Sequence, residues 1–235
     1  MDITEAHLRS LTKEVDEQHR EGMAHLPAQI AELHHGEGRR LLAPPRPGTL
    51  IGTSLVVGAL TLPLAAAMRA YAADGGDGGV AAFAESVELA AVEAYKAAAA
   101  SGKVTTPAVL DAATMFAGHH AEHAAAFGAA AGSAATKKPN PKLLDAVGGQ
   151  LKGAADQAAI LKIAFDLENA AAATYVFALG ALTSKAALQL TASILPVEAQ
   201  HAVVLGTVLN LPASAYLPSF ETSTAAVTPD KFPIG

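Results

Sequence analysis

Cysteine is absent from this chain, which excludes thiolate metal sites, iron–sulfur clusters, redox dithiols and disulfides together and leaves the compartment open. A metal bound here must be held by imidazole and carboxylate. Tryptophan is also absent and aromatics supply only 5% of residues, although 51% are apolar. Alanine carries much of that apolar content, which favours helices with close-packed faces over a β-rich fold. Positive charge is scarce as well. Sixteen Lys and Arg against 22 Asp and Glu give a net charge of −6, and no basic stripe is visible, so nucleic acid is not an expected partner.

The 235 residues leave room for one good-sized domain and an appendage, since domains run to about 100–200 residues. The expected parts are a polar, partly helical segment over 1–46, a hydrophobic segment over 47–72, a helical domain over 73–211 and an extended tail over 212–235. In the first part Leu8, Leu11 and Val15 recur at helical spacing among mixed charges. This predicts a solvated helix with one weak apolar stripe, or a helix that binds a partner or self-associates. Its histidines (His7, His19, His25, His34, His35) lack a paired acidic pattern and are expected at the surface.

Residues 47–68 contain no charged side chain, and uncharged apolar runs of about 18 residues or more are candidates for a membrane span. Arg39, Arg40 and Arg46 precede the run, while Asp74 and Asp77 follow. The positive-inside rule then places the helical domain outside the cytoplasm. Arg39-Arg40, the mild apolar stretch and Ala70-Tyr71-Ala72 also fit a twin-arginine export signal with a small-residue cleavage site. Both readings put the domain at the outer face of a membrane or beyond it, and a membrane-complex partner or homo-oligomer is compatible with either. A hairpin helix buried in a soluble protein is the remaining alternative.

The third part alternates helical patterns with short breakers. Helices are expected over 80–100, 107–130, 154–179 and 184–209, with Thr106 as an N-cap before Pro107 and Pro196 inside the last helix. A Gly-, Pro- and Lys-rich connection over 132–153 holds a short helix at 141–147. Two short loops make two antiparallel hairpins. One long connection between them is the arrangement of a four-helix bundle with a single crossover.

The hairpins repeat in sequence. Glu88 lies seven residues before Tyr95 and Glu168 seven before Tyr175, each opening an alanine-rich stretch. The partner helices carry His120 and His123 in one hairpin, Glu198 and His201 in the other. Glu88 and His123 are equidistant from the first turn, as Glu168 and His201 nearly are from the second. Each glutamate should therefore face an i, i+3 pair that shares one helical face. Two such hairpins packed together bring six donors to mid-bundle, enough for two adjacent divalent ions.

This pattern resembles the ferritin-like di-iron and di-manganese carboxylate proteins, built from two lone glutamates and two Glu-x-x-His pairs. The resemblance covers about 80–210 and implies an all-α, ferritin-like bundle holding iron or manganese, with ferroxidase-like or peroxide-consuming chemistry as the associated activity. It matches Glu88 and Glu168 to the lone glutamates, Glu198 and His201 to one pair, and His123 to the histidine of the other. His120 stands where the family has a carboxylate that bridges the metals. An imidazole offers one lone pair and cannot bridge as a carboxylate does, and three glutamates leave the site less anionic than four. An oxidised di-iron pair is thereby disfavoured, and imidazole-rich sites also suit zinc or copper.

Neighbouring residues carry expectations of their own. His119 is about 40° round the helix from His123 and can substitute for a ligand, whereas Glu122 is about 100° away. Tyr95 and Tyr175 lie about 10 Å along the axis from their own glutamates. They either pack in the core or hydrogen-bond across to the opposite hairpin. Glu85 is expected at solvent or beside an access path, and Glu93 at the surface. A metal-free hydrogen-bonded core network is the plain alternative to a metal site.

Overall fold

The computed structural model describes residues 3–35, 61–218 and 221–234. Most of the hydrophobic run, and Arg39, Arg40 and Arg46 before it, lie outside these residues. No helix among the described residues is long and apolar enough to cross a membrane.

Six α-helices make up the described chain: α1 (Glu5–His35), α2 (Thr61–Ala100), α3 (Pro107–Ala131), α4 (Pro141–Gly153), α5 (Gln157–Leu179) and α6 (Lys185–Val208). No strand occurs among the described residues. α2 pairs with α3 and α5 with α6, as the two short turns require, and α4 lies within the crossover between the hairpins. Small side chains let the helices approach closely: Ala90, Ala91 and Ala94 of α2 are all buried. Phe83 and Phe116 fill the larger gaps at 1% and 0% exposure, each contributing roughly 2–3 kcal/mol through burial.

The helix limits follow local chemistry, with informative departures. α2 is broken at Gly76, whose φ of 60° and ψ of −160° suit glycine, so the bundle helix resumes at Asp77 rather than Val80. The Asp77 carboxylate accepts from the backbone N–H groups of Thr183 (2.9 Å) and Ser184 (2.7 Å), tying this end of α2 to the α5–α6 turn. Thr106 occupies the N-cap position of α3, but its side chain makes no capping bond. Its hydroxyl instead accepts from Gln157 Nε2 at 3.1 Å, joining the first turn to the start of α5. α6 runs unbroken through Pro196.

The short crossover helix extends to Gly153, beyond the expected 147, with Asn140 capping it through Leu143 N–H at 3.1 Å. Glu85 anchors the chain just before it. Expected at solvent or beside an access path, this residue is 5% exposed and its Oε2 accepts from the backbone N–H groups of Thr136 (2.6 Å) and Lys137 (3.3 Å). A glutamate on the bundle face can turn outward to a loop whose N–H groups need acceptors, and that contact outweighs hydration. Gly128 permits it, since a Cβ there would sit 2.6 Å from Glu85 Oε1.

α1 also departs from the expected solvated helix. It packs on α3 and α6, burying Leu8, Thr12, Val15 and His19, while α4 packs on α2 and α5. Described residues of the tail pack on the helices, among them Phe232, whose carbonyl accepts from Asn140 Nδ2 at 2.8 Å. Ala226 and Val227 are buried, and Val227 N–H donates to Thr174 Oγ1 at 2.8 Å.

Candidate metal centre

The two hairpins bring Glu88 (α2), His120 and His123 (α3), Glu168 (α5), and Glu198 and His201 (α6) into one cluster, none more than 1% exposed. Two overlapping groups of ligand atoms arise, each with all its atoms within 4.8 Å of one another. The first is Glu88, His120, His123 and Glu198; the second is His120, Glu168, Glu198 and His201. Glu198 and His120 are shared. A carboxylate in that position can bridge two cations, whereas the shared imidazole must choose between them.

His120 spans the lone glutamates: its Nδ1 is 2.6 Å from Glu88 Oε2 and its Nε2 3.1 Å from Glu168 Oε1. His201 Nδ1 lies 3.3 Å from Glu168 Oε2 and 3.4 Å from Glu198 Oε2. His123 Nδ1 lies 2.9 Å from Glu198 Oε1. That last pair is close enough to share charge but is not aligned as a hydrogen bond. Both nitrogens of His123 and both oxygens of Glu198 have no hydrogen-bond partner, although both residues are 0% exposed. Leaving such groups unsatisfied costs about 1–3 kcal/mol each. A cation between them removes that cost by taking their lone pairs, so the donor set fits a metal.

Both tyrosines take the second of their two expected roles while remaining buried. Tyr95 O–H donates to Glu168 and Tyr175 O–H donates to Glu88, each reaching the lone glutamate of the other hairpin. Burial, and then the Glu168 charge, holds the Tyr95 phenol well above its ordinary pKa, so it stays a donor. These bonds orient the two carboxylates and cross-link α2 to α5. Glu93 is exposed and pairs with Lys96 at 2.9 Å.

His119 lies against this cluster, not among the grouped ligands. Its Nδ1 is 3.0 Å from His201 Nε2 and its Nε2 is 3.2 Å from Asp16 Oδ1 of α1. His19, expected at the surface with the other leader histidines, is 2% exposed and stacks on His119 at 3.8 Å between ring centres. Its signal was its spacing. Leu8, Thr12, Val15 and His19 follow one another at steps of four, three and four, which is one helical stripe. No paired acid marks His19 in the chain; the apolar stripe alone places it. A cleft of about 220 Å³ between α1 and α6 reaches His123, with His19, Met23, Pro196 and Gln200 among its lining residues.

The family model of the ferritin-like domain matches residues 76–211. The chain belongs to the ferritin-like domain family. No curated protein and no solved structure matches it.

Electrostatics divide the histidines into two sets. Burial alone would lower the pKa of His120, but the Glu168, Glu198 and Glu88 carboxylates reverse this and hold it well above the ordinary value. His201 is raised against burial by Glu168 and Glu198. His123 is raised against burial to about 9 by Glu198 and Glu88. Burial and the neighbouring imidazoles push His19 down to about 3 and His119 to about 2. His19 is therefore neutral at pH 7, and its 3.8 Å approach to Glu122 is no ion pair.

A pH profile follows for the metal-free protein. Groups with raised pKa stabilise the fold below their unfolded value near 6.5, and that contribution is lost as pH rises towards 9. Groups with depressed pKa act oppositely for histidine, since the unfolded chain takes up their protons first as pH falls below 6.5. Thermal stability should peak near pH 6.5 and decline on both sides. With metal bound the coordinating nitrogens carry no proton, so the alkaline decline should vanish and metal uptake should release protons. Melting curves from pH 5 to 9.5 with and without metal test this; a metal-free protein equally stable at pH 6.5 and 9 would contradict it.

Proposed function

We propose that this protein binds two transition-metal ions, iron or manganese, in its Glu/His cluster and uses them in oxygen or peroxide chemistry at the outer side of a membrane. The observation that carries the metal reading is the pair of fully buried residues, His123 and Glu198, whose side-chain nitrogens and oxygens converge within two overlapping ligand groups yet make no aligned hydrogen bond. A redox-active pair would supply electrons to dioxygen or peroxide. The chain's own residues hold the carboxylates through Tyr95 and Tyr175, exclude bulk water by burial, and leave the cleft beside His123 for access.

A second reading, sequestration of the metals without turnover, is favoured by His120. Replacing a bridging carboxylate by imidazole reduces the negative charge that favours higher-valent ions. Metals per chain in the purified full-length protein separate both readings from a metal-free structural bundle. Oxygen consumption on adding ferrous iron separates turnover from sequestration. Fewer than one metal per chain under saturating iron, manganese or zinc would end the metal reading.

The location is supported by the charge asymmetry about residues 47–68, with Arg39, Arg40 and Arg46 before the run and Asp74 and Asp77 after it. A reporter fused after Gly235 should be active only outside the cytoplasm. Activity confined to the cytoplasm would overturn the proposed orientation while leaving the metal site untouched.

A further inference from the structure

We propose that Asp16, on a helix outside the ferritin-like domain, is a positioning residue that sets the tautomer of His201 through His119; this rests on the metal reading of the cluster. Three side chains from three helices form the line. Asp16 Oδ1 lies 3.2 Å from His119 Nε2, and His119 Nδ1 lies 3.0 Å from His201 Nε2. The far side of the His201 ring, its Nδ1, faces Glu168 and Glu198.

Proton placement along this line has one consistent solution. Asp16 offers acceptor atoms only, so the His119 nitrogen facing it must carry the hydrogen. A neutral His119 with hydrogen on Nε2 has its lone pair on Nδ1, facing His201. His201 must then donate from Nε2, so that Nδ1, which without metal turns a hydrogen to Glu168 and Glu198, is the nitrogen whose lone pair a metal would take on displacing that hydrogen. The opposite arrangement would aim the His119 Nε2 lone pair at a carboxylate and take the hydrogen from His201 Nε2. Its remaining hydrogen would then occupy the nitrogen needed for metal.

The surroundings hold these rings in place. His19 stacks on His119 with centroids 3.8 Å apart and planes at 17°, and Phe116 stacks on His201 at 4.0 Å and 28°. The other carboxylate oxygen of Asp16 is held by Arg20, one turn along α1. Gln200 Nε2, one residue before His201, donates to Gln18 Oε1 of α1 at 2.6 Å. α1 is thus a working part of the centre as well as a cover over α3 and α6.

The test uses the full-length protein with zinc as a diamagnetic probe, comparing wild type, Asp16→Ala and Asp16→Asn. Ring ¹⁵N shifts should place hydrogen on Nε2 of both His119 and His201 in the zinc-loaded wild type. Asp16→Ala should leave His119 in mixed tautomers and weaken zinc binding about 10–100-fold, the usual effect of losing a ligand's orienting partner. Asp16→Asn keeps an oxygen acceptor at the same position and should restore both the tautomer and the affinity. Unchanged tautomers and affinity in Asp16→Ala overturn the proposal. So does an Asp16→Asn protein that keeps the tautomers yet binds zinc as weakly as Asp16→Ala, since charge alone would then be the cause. If Asp16→Ala does not fold, Asp16→Leu, which keeps side-chain bulk on the helix but offers no acceptor, takes its place in the same two readouts and is judged by the same outcomes. A wild-type chain that takes up no zinc fails the underlying metal reading, and is thereby distinguished from a zinc-binding chain indifferent to Asp16.

Discussion

Glu198→Gln is expected to abolish metal-dependent stabilisation and to weaken the metal-free protein as well. Glu198 belongs to both ligand groups, so an amide there weakens both metal positions at once and removes the single carboxylate placed to bridge them. At free metal of about 100 times Kd, binding stabilises the native state by about 2.7 kcal/mol. For a chain of this size that corresponds to roughly 5–10 °C in Tm. A loss of affinity of about 100-fold or more would remove most of that shift. In the metal-free state Glu198 lies 2.9 Å from His123 Nδ1 and is one of the charges that raise His120, His123 and His201. The substitution should then cost about 3–5 kcal/mol without metal, as for a buried pair that loses one partner, and more with metal bound. Calorimetric melting of both proteins with and without metal measures both effects. Equal destabilisation in the two states would show that Glu198 serves a structural network.

His120→Glu should separate the metal-free and metal-loaded states in the opposite way. In the metal-free protein His120 bonds Glu88 and Glu168 and carries the positive charge that lets three carboxylates share one buried space. A fourth carboxylate in its place removes that compensation and adds repulsion, so destabilisation of about 3–5 kcal/mol is expected without metal. With two divalent ions bound the added charge is compensated, the bridging geometry of the family is restored, and metal affinity should increase. Metal titration followed by melting gives both quantities. A variant equally destabilised with saturating metal, and with no gain in stoichiometry, would place His120 in a metal-free core network.

Much of this centre was legible in the chain because it lies on two hairpins with short turns. Helical geometry sets angular position at about 100° per residue and height at about 1.5 Å per residue. Glu88 and His123, or Glu168 and His201, could therefore be aligned by counting from each turn. The same arithmetic placed the tyrosines too far from their own glutamates to share an ion with them. It could not choose between packing and a bond to the opposite hairpin, since that depends on how α2 sits against α5.

The sequence by itself determined the all-α class, the two hairpins, the crossover and which Glu and His side chains face one another, because these rest on periodicity, turn chemistry and separations along one or two helices. Tertiary structure alone decided what packs on the outside of those hairpins. Glu85, expected at solvent or beside an access path, turns to the N–H groups of Thr136 and Lys137, on a loop some fifty positions away whose course local spacing does not specify. His19 was assigned to the surface, but the stripe that carries it is covered by α3 and α6. Asp16 drew no notice in the chain, since its value lies in standing 3.2 Å from a histidine on another helix. In each case the energy comes from burial and pairing between segments distant in sequence, a term absent from any local window and settled only when the helices dock.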